Sequence, residues 1–247
     1  MNSQAGVPKS CCIERSCLYR CRFGHYAAQI PTIVILLRII RHLQHLVSTN
    51  IAFTKGDLLQ AGDLQTLAML DRLLKAPVFA GRLDPLTCVE FTMRDVYAPT
   101  HWAIRGTPPA YDTPDEDVYL TGRNLVLLTK AGVVAATHGA HRIALGPLAG
   151  NPFPDARPQF FSAMSQALSL GLDHPIEIVT PFLEWSKEDV ITRGVELRVP
   201  LEHTLSCMNP MPGPRHCGLC SKCRERRDAF QAAGVSDPTS YANRSPR

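Results

Sequence analysis

Cys207-Met208-Asn209-Pro210-Met211-Pro212-Gly213-Pro214-Arg215-His216-Cys217-Gly218-Leu219-Cys220-Ser221-Lys222-Cys223 sets four cysteines in the order C-x9-C-x2-C-x2-C. Two-residue gaps let tight backbone turns aim neighbouring sulfurs at one point, as a tetrahedral zinc ion requires. Gly213 and Gly218, with Pro210, Pro212 and Pro214, suit such turns. Four thiolates would fill the coordination sphere and leave no position for water or substrate, so the expected site is structural. It would fold a C-terminal region, residues 201–247, that is too short to build its own core. Free buried thiols or an oxidised pair fit the same letters, and an iron–sulfur cluster also takes four cysteines.

The other five cysteines carry no comparable signal. Cys11, Cys12, Cys17 and Cys21 are spaced by one, five and four residues, which matches no ligand pattern, and Cys88 stands alone. Metal spacing in the late cluster, in a chain of 247 residues, points to a reducing, cytoplasmic compartment rather than a disulfide scaffold. The net charge of +4 is too small by itself to argue for nucleic acid. The basic run Lys222, Arg224, Arg226 and Arg227 reads either as a solvated helix face or as a contact to phosphate or RNA. Ile30 to Leu37 is apolar, but Arg38, Arg41, His42 and His45 end the run well short of the roughly 20 residues a span needs. No membrane anchor is expected.

From residue 56 to residue 200 helical and strand patterns alternate. Leu64, Leu67, Leu70 and Leu74 recur at helical spacing, and Val89, Phe91 and Met93 alternate with polar residues as in a half-buried strand. A proline-rich loop is expected from Ala98 to Asp117, then a helix from Asn124 to about His138 that Gly139 ends. Arg142 to Gly146 and Ile176 to Thr180 read as strands. Pro158 opens a helix whose inner face is Phe161, Met164 and Leu168. Ser186 with Asp189 resembles a capping box, opening a helix that Gly194 ends. The pattern predicts an α/β fold, a mostly parallel sheet with helices on both faces, whose ligand sits beyond the carboxyl ends of the strands.

Three segments then resemble one family. Tyr119-Leu120-Thr121-Gly122-Arg123-Asn124 is similar to the P-G-R-N stretch of 7-cyano-7-deazaguanine synthases, with Thr121 in place of proline. Gly146 to Pro158 resembles the loop in which that family reads G-x-N and then Y-P-D-C-R-P, with Pro147 and Phe153 as departures. Ser206-Cys207, Cys217-Gly218-x-Cys220-x-x-Cys223 and Asp237-Pro238-Thr239 resemble its zinc region and tail.

The resemblance implies an adenine nucleotide alpha hydrolase-like fold and a structural zinc on Cys207, Cys217, Cys220 and Cys223. It implies a ligase in queuosine biosynthesis, in which ATP and Mg adenylate the carboxylate of 7-carboxy-7-deazaguanine. Ammonia then displaces AMP to form an amide, and a second activation dehydrates the amide to a nitrile. It leaves room for a homodimer and calls for no nucleic-acid surface. Substrate binding would fall to Arg123, Asn124, Asn151, Asp155 and Arg157, and a phosphate contact to Lys187. Arg123 offers a planar fork for an anion, and the asparagines can read the polar edges of a purine-like ring. Each residue has a plainer role to fill: Arg123 as a surface ion pair, Asp155 as a cap for the helix near Pro158, Lys187 as a solvated first-turn lysine.

One expected part does not match. The family's ATP loop reads S-G-G-x-D-S, yet before residue 60 the glycines are Gly6, Gly24 and Gly56, and Thr32 to Arg41 is a strand-like run. Residues 1–55 are therefore set apart as an atypical segment, disordered or frame-disturbed. Three functional readings stay open: the ATP-dependent ligase, a zinc-stabilised, non-catalytic purine- or tRNA-binding relic, and a related amide-forming or sulfur-transferring ligase that shares the fold.

Overall fold

The computed structural model describes residues 50–55, 72, 75–77, 86–91, 93, 95–105, 107–213 and 215–244. Leu64, Leu67, Leu70 and Leu74 of the expected helix, the run from Thr32 to Arg41 and the four early cysteines lie outside the described residues. Strands β1 (Asn50–Lys55) and β2 (Leu86–Phe91) pair in parallel, from Asn50 opposite Leu86 to Lys55 opposite Phe91. Met93, read as part of the second strand, lies beyond its end.

The remainder centres on a β-α-β unit. Strand β3 (Arg142–Ala144) pairs in parallel with β4 (Glu177–Val179), with Ile143 opposite Ile178. A parallel pair needs a crossover, and the helix over Pro158–Leu172 supplies it. Its first-turn proline gives up an N–H that would have no helical partner anyway. Phe161 and Leu168 are buried and Met164 packs beside them, as the spacing predicts. The same helix closes the outer edge of β4: Ser165 Oγ accepts the Ile178 N–H at 3.0 Å and Ser169 Oγ accepts that of Ile176 at 2.9 Å. The short strand thereby satisfies donors on the edge away from β3.

Among the described residues five helices have their bounds, in chain order: α1 (Trp102–Arg105), α2 (Arg123–Thr137), α3 (Pro158–Leu172), α4 (Lys187–Glu196) and α5 (Ser221–Ala232). The segment read as one loop from Ala98 to Asp117 thus holds α1, and a 3-10 turn starts at Asp115. Helix α2 buries Leu128, Ala131, Gly132 and Ala135 along one stripe. A Cβ on Gly132 would stand 2.7 Å from Leu168 Cδ2, so glycine lets α2 and α3 approach closely. Leu128, Ala156 and Phe161 form the centre of the core, with Ile143, Ile178 and Leu183 against it.

The capping box that opens α4 is present. Ser186 Oγ accepts the Asp189 N–H at 3.1 Å, and Asp189 Oδ2 accepts the Ser186 N–H at 2.9 Å. Gly194, however, does not end this helix. It is buried inside it, and a Cβ there would meet Leu201 Cδ2 at 3.4 Å. That glycine serves packing, and the left-handed residue beyond the helix is Arg198, at φ 55°. Among the described residues no helix is long and apolar enough to cross a membrane.

Candidate metal centre and ligand cavity

The four late cysteines converge. Their sulfurs all lie within 4.8 Å of one another, and all four side chains are buried. Separations of 3.5 Å (Cys220 to Cys223), 3.9 Å (Cys217 to Cys223) and 4.0 Å (Cys220 to Cys207) are close to the roughly 3.8 Å edge of a tetrahedron with 2.3 Å metal–sulfur bonds. Main-chain N–H groups point at the sulfurs as well. Asn209 and Cys217 donate to Cys207 Sγ at 3.3 and 3.2 Å, and Leu219 donates to Cys217 Sγ at 3.4 Å. Such donors favour thiolate over thiol, so the donor set fits a metal ion.

The turn that makes this possible needs Gly218. Its φ is 82°, and a Cβ would lie 2.3 Å from the Asn243 carbonyl oxygen. The tail wraps the cluster from outside. His216 donates its N–H to Ser240, Ala242 returns one to His216 at 2.8 Å, and Asn243 Nδ2 donates to Cys217 O at 2.8 Å. Burial pushes His216 down to about 3, which leaves its Nε2 able to accept the Ser206 N–H at 3.1 Å.

The basic run on α5 is not a solvated face. Arg226 is buried: it donates to Thr204 Oγ1 at 2.9 Å and to Leu201 O at 3.0 Å, and lies 3.5 Å from Asp237 Oδ1. Arg224 donates to the carbonyls of Tyr111 and Thr113. Arg227 donates to Gly218 O and lies 3.9 Å from the centre of the Tyr241 ring. Lys222 meets Asp115 at 3.0 Å and pairs with Glu225. All four tie the cysteine segment to its surroundings.

A cavity of about 330 Å³ opens between the loop 146–153, which follows β3, and helices α4 and α5. Arg123, Asn124, Asn151 and Lys187, far apart in sequence, all line it. Asn151 Oδ1 accepts the Phe153 N–H at 3.0 Å, which shapes the loop. Phe153, at one departure from the family pattern, stacks on Tyr119 with ring centres 4.8 Å apart. The Ala149 N–H donates to Trp185 O, pinning the loop to the segment after β4.

Asp155 stands behind this wall. Its Oδ2 accepts the main-chain N–H of Asn124 at 2.9 Å. It therefore caps α2, across thirty-one positions, rather than the helix near Pro158. Arg123 is half-buried beside it, and burial lowers its pKa while Asp155 opposes that shift. Tyr97 Oη donates to the carbonyl of Thr121 at 2.8 Å, and burial raises its pKa. Arg157 is exposed and does not line the cavity.

Sequence reading missed two lining acids, Asp115 and Glu225. Lys187 pairs with Glu225, and Lys222 joins Glu225 to Asp115. Burial works against ionisation of Asp115, but hydrogen bonding with Glu225 and Lys222 and the charge of Lys222 outweigh it and draw the group down to about 2. Only the Lys222–Glu225 spacing of three could have signalled part of this network.

Comparison with known proteins matches residues 109–234 to the family described as queuosine biosynthesis protein QueC. Relatives named 7-cyano-7-deazaguanine synthase include that of Methanothrix thermoacetophila, 38% identical over 134 residues, covering 52% of this chain and 58% of the relative. That of Allorhizobium ampelinum is 42% identical over 123 residues, covering 48% of this chain and 52% of the relative. That of Azoarcus sp. is 38% identical over 152 residues, covering 56% and 67%. The chain spans about half to two thirds of the length of these curated relatives.

Proposed function

This chain belongs to the QueC family of queuosine biosynthesis proteins, and we propose that it is a 7-cyano-7-deazaguanine synthase-type ligase. Its substrates would be ATP, ammonia and a 7-carboxy-7-deazaguanine-type carboxylate. One observation carries this reading: Arg123, Asn124, Asn151 and Lys187 meet on a single cavity just beyond the carboxyl end of β3. Ligands of parallel α/β folds bind at that place, and the volume suits a small molecule.

In this reading the side-chain amides of Asn124 and Asn151 read the polar edges of the bicyclic ring. The Arg123 guanidinium faces the carboxylate, whose charge must be held in place while it is activated. Lys187, on the first turn of α4, contacts phosphate. Asp155 acts from behind the cavity wall, by holding Asn124 in place. The ion on Cys207, Cys217, Cys220 and Cys223 is zinc, closed to substrate and structural. It fixes the start of α5, which supplies Lys222, Glu225 and Arg226 to the cavity wall.

Titration calorimetry of 7-carboxy-7-deazaguanine into the metal-loaded full chain tests this. Binding that Arg123→Met weakens about tenfold or more, the worth of one charge-assisted contact, supports it. Equal binding by the variant, or none by the parent, contradicts it.

A further inference from the structure

Helices α4 and α5 each carry a lysine in the first turn, where the helix field disfavours a cation. Lys187 is the first residue of α4 and Lys222 the second of α5. The first turn of α5 has no acidic residue to compensate. Both lysines line the same cavity, and one carboxylate, Glu225, lies between them and pairs with both. Lys222 and Glu225 are 12% and 13% exposed, so this carboxylate is held largely away from bulk water. The first turn of α4 holds Glu188 and Asp189 beside its lysine, so the uncompensated cation is Lys222, the kind of local conflict expected at a functional site.

The charges show what can enter. Arg226 has Asp237 as its own partner, and Asp155 opposes the charge of Arg123. The remaining tetrad pairs the two ammonium groups of Lys187 and Lys222 with the two carboxyl groups of Glu225 and Asp115. An added anion finds no excess positive charge there unless a carboxylate withdraws. Asp115 is held by Lys222 at one end of the tetrad, whereas Glu225 bridges the two helix starts.

We infer that Glu225 is a built-in competitor for a polyphosphate anion, which seats between Lys187 and Lys222 when the Glu225 side chain swings out. This rests on the reading of Lys187 as a phosphate contact, and extends it to Lys222 and Glu225. Two lysines then face the anion in place of the carboxylate they now share. The shared chemistry is a diphosphate group, whether as free pyrophosphate or as part of a nucleotide.

The test is titration of inorganic pyrophosphate, ATP–Mg and adenosine into the full chain, its E225Q variant and its K222M variant. Circular dichroism confirms that each is folded. E225Q should bind pyrophosphate about tenfold more tightly, because the competing charge is gone while the shape is kept. K222M should bind it about tenfold more weakly, and adenosine should not respond to either change. A gain in E225Q for pyrophosphate alone identifies the free anion, and a parallel gain for ATP–Mg identifies the nucleotide. Pyrophosphate affinity that is unchanged or weakened in E225Q overturns the inference, as does absence of pyrophosphate binding to both the parent and E225Q. E225Q decides the matter even if K222M does not fold. Binding of 7-carboxy-7-deazaguanine, measured on the same samples, separates failure of this inference from failure of the ligase reading.

Discussion

Asp155 and Asn124 clamp one another. Asp155 Oδ2 accepts the Asn124 main-chain N–H at 2.9 Å, and Asn124 Nδ2 donates to the Asp155 carbonyl at 2.8 Å. Gly122, which precedes helix α2, is left-handed and has no side chain to cap it. The cap comes instead from the loop before α3, which also fixes one wall of the cavity. Asp155→Ala leaves a buried N–H without an acceptor and should cost about 1–3 kcal/mol in urea unfolding. Asp155→Asn keeps an acceptor oxygen and should lose less.

Much of this was legible where the signal is local. Pro158, the Ser186–Asp189 box and the cysteine spacing each act within a few residues, and each stands where the sequence places it. The cap on α2, the serines that cover β4 and the partners of Arg224 and Lys222 were not legible. Arg224 reaches Tyr111 and Lys222 reaches Asp115 across more than a hundred positions. A basic run at helical spacing reads as a wet face until such partners are known. Gly194 misled for a similar reason, since its use is contact with Leu201 rather than a helix stop.

Metal removal should loosen the C-terminal region as a unit. Cys223→Ser, or chelation of the parent, is expected to abolish the one bound metal per chain. It should also lower the thermal midpoint, because α5 starts at the cluster and carries the Arg226 contacts. Metal content by mass spectrometry and a thermal scan check both. A variant that keeps its metal, or loses it with no change in midpoint, would contradict a structural role.

Arg226 is buried with oxygen partners on three sides and a ring beneath, Phe230 at 4.8 Å. Arg226→Ala removes the cation beside Asp237 and the donor to Leu201 O, and should cost about 3–5 kcal/mol. Arg226→Lys should recover little of it, because an ammonium cannot span that planar set of acceptors. Denaturant midpoints of the two variants give the comparison.

Gly218→Ala should destabilise by about 1–3 kcal/mol, from a left-handed backbone and a Cβ driven into the Asn243 carbonyl. Gly213→Ala has a similar φ of 79° but open space around it, and should cost less. Equal losses would mean that backbone conformation alone matters here.

Asp115 sets a pH dependence of definite sign. Its carboxyl lies at about 2 in the folded chain against an ordinary 3.8. The stabilisation it gives is complete above the ordinary value and is lost as pH falls through the folded one. Asp115→Asn should therefore be less stable than the parent at neutral pH, with the difference closing as pH falls toward about 2. Urea midpoints across that range check it.

The most direct measurement is AMP release by the full, metal-loaded chain given ATP–Mg, ammonia and 7-carboxy-7-deazaguanine. Release that depends on all three, and that Arg123→Met or Lys187→Met abolishes, is the predicted result. Substrate binding with no AMP formed would contradict the ligase and leave a protein that holds the purine-like ligand without turning it over.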